Sequence, residues 1–276
     1  YRQTKGWART KKVFFAMEFS KPFNSYGHKK YDDVKYDGFY RRFNQEKIFP
    51  EIAGKDLRAY FKFDTKEGEQ IKVKFALSAV STNAALNNLK TEIPHWDFDK
   101  TREETRKKWN KELGKIDVKT ITEQDLITFY TALYHTNLSP ILYEDVDGRY
   151  RGLDQNIYHS DGFVNYTIFS LWDTYRALHP LFNITQPQRN NDMVKSMLAH
   201  HDQSVHKMLP IWSHYANENW CMIGYHATSV IADAMAKGVG NFDQHRALQA
   251  SVNTASVEYF DGLGDYIKYG YVPDDK

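Results

Sequence analysis

Cysteine is nearly absent: Cys221 stands alone in 276 residues, so no internal disulfide can form. No Cys-x-x-Cys or cysteine–histidine spacing reads as a zinc site. Long apolar runs are absent too. None approaches the roughly 18 residues that cross a bilayer, and the mean hydropathy is −0.67, which excludes an integral helical membrane protein. The chain opens on Tyr1 rather than Met and shows no signal peptide, so we expect an N-terminus that is processed, cropped or simply not given. Aromatics, by contrast, are plentiful at 15%, which excludes a long disordered chain. The length suits one large domain or two small ones.

The net charge of +2 hides an asymmetry. Residues 1–80 carry 18 Lys/Arg against 10 Asp/Glu, or +8, and the remainder carries −6. A basic segment can be a nucleic-acid surface. Here the lysines alternate with apolar residues as a solvated strand face demands, with no arginine cluster and no stacking motif, so no nucleic-acid partner is expected.

The first 80 residues read as strands. Val13–Phe19 is a β-type run, Leu57–Phe63 puts Leu57, Ala59, Phe61 and Phe63 on one face, and Ile71–Phe75 repeats the period of two. The polar stretch Asp64–Gln70 is expected to join the last two as a hairpin, and Lys21–Pro50 to be a long loop or weak strands. After Ser81 the period changes to that of helices. One helix is expected around Ala84–Leu89, ending before Pro94. A very polar one follows over Lys100–Leu113, capped by Asp99 and closed by Gly114. Thr122 with Asp125 forms a capping box for a helix whose face is Leu126, Phe129, Tyr130 and Leu133. A long loop over Thr136–Gly162 precedes a helix over Asn165–Leu178 that stops before Pro180. Further helices are expected over Gln188–Lys207, Cys221–Lys237 and Asp243–Phe260, with Gly238 and Gly240 breaking the chain between the last two. Strands first and helices afterwards predict a β-domain followed by an α-domain.

Few residues carry chemistry by spacing alone. Asp145-Val146-Asp147-Gly148-Arg149 is slightly calcium-loop-like, but the glycine and glutamate of an EF-hand are misplaced, so a polar turn is expected. His200-His201-Asp202 with His206 fits no metal motif. Cys221 with His226 is a nucleophile–base pair only in principle, and packing or pocket lining is the expected role. Two Asn-x-Thr sequons, at Asn165 and Asn183, matter only on a eukaryotic secretory route. Trp172-Asp173-Thr174-Tyr175-Arg176 says more: aromatics beside a carboxylate give a sugar an apolar face and acceptors for vicinal hydroxyls. The plain reading of the same stretch makes Trp172 core and pairs Asp173 with Arg176.

Several segments, taken in order, resemble glycoside hydrolase family 92, the calcium-dependent exo-acting α-mannosidases. They are Gly6-Trp7-Ala8, Phe19–Phe23, Val80–Leu86, Glu92–Asp99, Phe129–Thr136, Asp145–Gly152, Asn165–Pro180 and Cys221–Ala227. The resemblance implies an α+β multidomain architecture: the C-terminal part of a β-sandwich over 1–79, a helical linker over 80–118, and the first half of an (α/α)6 barrel over 119–276. It also implies that both ends of the parent lie outside this chain.

By the same resemblance the parent hydrolyses terminal α-linked mannose in glycans with inversion, one carboxylic acid protonating the leaving oxygen and a second carboxylate activating water. Calcium helps hold the sugar, its ligands expected mostly beyond residue 276. No segment here resembles the family's acid, base or calcium motifs, so the chain alone is expected to be inactive, with no catalytic residue or metal ligand assigned. What carries over is Asp173, as a carboxylate binding mannose hydroxyls, with Trp172 as pocket wall. Trp220 and Cys221 begin another matching segment that lines the pocket. The periplasm, the cell surface or the exterior is the implied location. The alternatives are an (α/α)6 glycosidase of another family and a non-catalytic glycan-binding protein.

Overall fold

The computed structural model describes residues 2–3, 7–8, 10–30, 57–260 and 262–274. Gly6, in the first matching segment, and residues 31–50 of the expected loop lie outside them. The architecture is mixed α and β, with small sheets. Two compact units are formed, one of residues 17–74 and one of residues 1–16 with 75–276.

A three-stranded sheet runs in the order β1 (Arg2–Gln3), β2 (Lys12–Phe19) and β5 (Val73–Ser78). β3 (Ser25–Lys30) pairs antiparallel with β4 (Leu57–Lys62), Gly27 opposite Tyr60. This corrects the expected hairpin: 57–62 and 73–78 are strands, but they lie in different sheets. A period of two says which face a strand shows, not which strand it pairs with. The β3 partner fits because Gly27 has no side chain: a Cβ there would collide with the Tyr60 ring. Phe61 and Phe63 meet Phe19 at centroid distances of 4.9 and 5.3 Å, closing an aromatic cluster within this unit.

Helix α1 (Thr82–Glu92) is capped by Ser81, whose hydroxyl accepts from the Ala84 amide. Helix α2 (Phe98–Leu113) is capped by Asp97, not Asp99; Asp99 falls in the first turn and pairs with Arg102 at 3.3 Å. Asp97 is the residue with extended backbone and a carboxylate facing the Lys100 amide, which defines the cap. α2 buries none of its residues, and Trp109 reaches Tyr134 of α3 (Glu123–Thr136) at 4.7 Å. The Thr122–Asp125 cap of α3 forms as expected.

Between α3 and the later helices the expected long loop contains structure. β6 (Ile141–Leu142) pairs with β9 (Tyr166–Thr167), and β7 (Arg149–Arg151) with β8 (Ile157–His159). The helix expected over 165–178 does not form as one piece. The amides of Tyr166 and Phe169 donate to the Ser196 hydroxyl and the Ser213 carbonyl, and Ile168 is left-handed at φ 65°. Backbone groups committed elsewhere cannot build an i to i−4 ladder. What remains is a single turn, α4 (Leu171–Thr174), then α5 (Leu178–Thr185), with Pro180 inside the first turn of α5, where its missing N–H costs nothing.

Helices α6 (Pro187–Gln203), α7 (Ala227–Ala236) and α8 (Gln244–Ala255) follow, each shorter at one or both ends than expected. α9 (Leu263–Tyr269) was not foreseen. The core lies among α5–α8. Phe169, Leu171, Phe182, Met197 and Leu198 are sealed there against Ala227, Ala234, Ala247 and Ala250, whose small side chains let the helices approach.

Candidate functional site

Trp172 and Asp173 stand on α4, the short turn that follows β9, both exposed. The Asp173 carboxylate accepts from the Ser170 hydroxyl one turn earlier. Among the described residues Arg176 forms no ion pair with Asp173; its guanidinium lies over the rings of Trp172 and Tyr175, 5.5 and 5.0 Å from their centroids. The carboxylate therefore keeps acceptor capacity facing solvent beside an aromatic wall.

Tyr175 carries the turn to a second segment. Its ring stacks on the imidazole of His226 at 4.3 Å with 6° between planes. The His226 Nε2 is buried without a hydrogen-bond partner, and burial, aided by the Arg176 charge, holds the imidazole below its ordinary range. It is therefore a neutral ring at neutral pH. Residues 221–226 reach α7 through turns rather than as the helix expected there: Trp220 and Met222 are left-handed, at φ 52° and 70°, which a helix does not accommodate. Met222, Ile223 and Tyr225 are exposed, and Cys221 is a half-buried free thiol.

The structure thus brings the Trp172–Arg176 turn and the Cys221–His226 segment together through the Tyr175–His226 stack. Trp220 sits differently. Its ring packs on Phe260 at 4.5 Å and His206 at 5.4 Å, in a small cluster with Met208, Ile211 and Val257. The sequence did not reveal Arg176 as an aromatic-stacked cation or His226 as the partner of Tyr175, although it favoured packing or pocket lining over a nucleophile–base role for Cys221 and His226.

Other features resolve into structural roles. Asp145 is buried, accepting from Ser78 Oγ and Asn88 Nδ2, both at 2.7 Å. Burial pushes its carboxyl up and these two bonds pull it back. Asn165 and Asn183 of the two sequons are buried and bonded, to the Tyr143 carbonyl and to Asp233. Among the described residues no group of three or more His, Cys, Asp or Glu side chains could hold a metal. A cleft of about 220 Å³ lies elsewhere, walled by Lys11, Val13, Leu77, Tyr143 and Tyr215, and includes none of the four residues singled out in the sequence.

An exposed carboxylate and a guanidinium among aromatic faces suit carbohydrate recognition. Residues 84–276 match the family model for the glycosyl hydrolase family 92 catalytic domain, and residues 1–78 that for its N-terminal domain. The chain belongs to glycoside hydrolase family 92. A comparison with curated proteins gave no match. Among solved structures, the family GH92 alpha-mannosidase BT3965 from Bacteroides thetaiotaomicron is 48% identical with a TM-score of 0.88, covering 98% of this chain and 36% of that one. The same protein in complex with mannoimidazole gives the same identity and TM-score, covering 98% and 35%. The family GH92 inverting mannosidase BT2199 from Bacteroides thetaiotaomicron VPI-5482 is 30% identical with a TM-score of 0.80, over 95% and 35%. The chain spans about a third of the length of these relatives.

Proposed function

We propose that this chain is the sugar-binding middle of an exo-acting α-mannosidase that removes terminal mannose from glycans with inversion. The observation that carries the reading is the 48% identity to a GH92 alpha-mannosidase across almost the whole chain. It is supported by the neighbour described as an inverting mannosidase and by the complex with mannoimidazole. In this reading residues 1–79 are sandwich, 80–118 linker and 119–276 the first half of an (α/α)6 barrel. The protein works in the periplasm, on the cell surface or outside the cell.

Asp173 accepts hydroxyls of the terminal mannose, the ring of Trp172 forms a wall, and Cys221 lines the pocket, with Trp220 behind it. Calcium belongs to the reading through the family alone. The described residues offer it no cage, and the acidic turn that looked most like one has its buried carboxylate committed to Ser78 and Asn88.

The test is Asp173→Ala in the full-length parent. Deleting a charge-assisted hydrogen bond made in a closed site should lower kcat/KM on a mannobiose by about a hundredfold or more. An unchanged kcat/KM would count decisively against the assignment of Asp173.

A further inference from the structure

The loop between α6 and α7 is closed on a buried glutamate. The Glu218 side chain is 4% exposed. Its Oε1 accepts from the amides of Trp212, Asn219 and Trp220 at 2.8, 3.0 and 3.1 Å, and its Oε2 accepts from Ile211 N at 3.0 Å. His200 Nε2, buried without a hydrogen-bond partner, stands 3.7 Å from Oε2, and its Nδ1 meets Ser213 Oγ at 3.1 Å. Four backbone donors on one carboxylate form an anion cage, and each donor fixes the orientation of a peptide plane.

The same loop holds non-glycine residues in the left-handed region: Tyr215 at φ 50°, Ala216 at 60° and Trp220 at 52°. Such backbone persists only where surrounding contacts over-determine it. At Trp220 those contacts are the bond from its own amide to Glu218 and the packing of its ring on Phe260 and His206. The chain then leaves Trp220 as Cys221–Tyr225, partly or largely exposed, and ends on His226, stacked with Tyr175 of the Trp172–Asp173 turn.

We infer that Glu218 is a positioning residue: its carboxylate, caged by the amides of Ile211, Trp212, Asn219 and Trp220, fixes the left-handed corner at Trp220 and so aims the Cys221–Tyr225 wall at the bound sugar. Glu218 touches no substrate; it acts through the backbone. The aim at a sugar rests on the α-mannosidase reading above. The setting of the corner does not.

The experiment uses the full-length parent with Glu218→Gln, which keeps the size but replaces one acceptor oxygen by a donor facing amide donors. Two readouts are taken. One is fluorine NMR of protein labelled with fluorotryptophan, the Trp220 line assigned with Trp220→Phe. The other is KM and kcat on para-nitrophenyl α-mannoside. The expected result is a displaced or broadened Trp220 line, with KM raised about tenfold and kcat within about threefold of the parent. A Trp220 line that does not move overturns the inference, as does an unchanged KM in an active enzyme. A wild-type parent that releases no mannose sinks the α-mannosidase reading instead, and the fluorine spectrum still decides whether Glu218 sets the corner. Glu218→Asp, which keeps the charge but shortens the reach, is read in the same way if the Gln variant does not fold. Failure of both to fold makes Glu218 a folding requirement and overturns the positioning role.

Discussion

Asp145 illustrates how one buried carboxylate can tie together segments far apart in sequence. Its oxygens receive Ser78 at the end of β5 and Asn88 in the middle of α1, while Asn88 Oδ1 accepts from Val146 N and Nδ2 also donates to the Leu77 carbonyl. Nearly every donor and acceptor of that amide is spent at this one junction. Asp145→Ala leaves two buried donors short of a partner, so unfolding in urea should show a loss of about 2–4 kcal/mol. Asp145→Asn, which retains an acceptor oxygen, should lose less. A cost below about 0.5 kcal/mol for the alanine variant would show that the junction is held by other contacts. The acidic turn was legible in the sequence as a polar turn. Its burial was not, because Ser78 and Asn88 are 67 and 57 residues away from it. The same limit explains Trp172 and Asp173: the motif marked them as interesting, but only the fold shows Arg176 spread over the rings rather than paired with the carboxylate.

At the scale of elements, helices with a strong local signal were the legible ones. The Thr122 cap of α3 and the glycine break after α7 formed where spacing put them. Residues 165–178 failed because their apolar spacing is compatible with a helix, while the amides of Tyr166 and Phe169 bond to α6 and to the 211–213 loop, a competition invisible to local pattern. α5, α6 and α7 are also tied by a buried polar chain. His179 Nδ1 meets Asn190 Oδ1 at 2.7 Å, Asn190 donates to Asn183, and Asn183 donates to Asp233 at 2.9 Å, where Lys237 reaches the surface. Burial pushes His179 down from 6.5 to about 4, with its Nε2 unpartnered. A histidine whose folded pKa is depressed is protonated in the unfolded chain first, so its stability is fully present above about pH 6.5 and is lost as pH falls towards 4. At pH 5 the loss from His179 should be about 2 kcal/mol. Burial lowers His200 to about 3, which adds in the same direction. Urea titrations at pH 7 and pH 5 measure it. His179→Gln, which cannot charge, should reduce the difference, and an undiminished difference would place the acid sensitivity elsewhere.

The whole molecule raises the question of what this chain can do by itself. An inverting glycosidase needs an acid and a base roughly 6.5–9.5 Å apart with water between them. Among the described residues, the carboxyls that burial pushes towards the acid form are Asp145, Asp192 and Glu218. Each is already engaged: Asp145 by Ser78 and Asn88, Asp192 by Gln188 at 3.0 Å, and Glu218 by its four amides. Asp173, the carboxylate proposed to hold a sugar, is exposed and accepts from Ser170. The proposed binding groups, with no uncommitted buried carboxyl among the described residues, predict recognition without turnover. The 276-residue chain, incubated with a mannobiose and calcium, should release no mannose above background, while the full-length parent under the same conditions should release it. Calcium-dependent release by the chain alone would mean that an acid and a base lie among these residues after all. Asp145, Asp192 and Glu218 would then be the first to replace, because burial has already moved each of them towards the range in which a carboxyl can act as an acid.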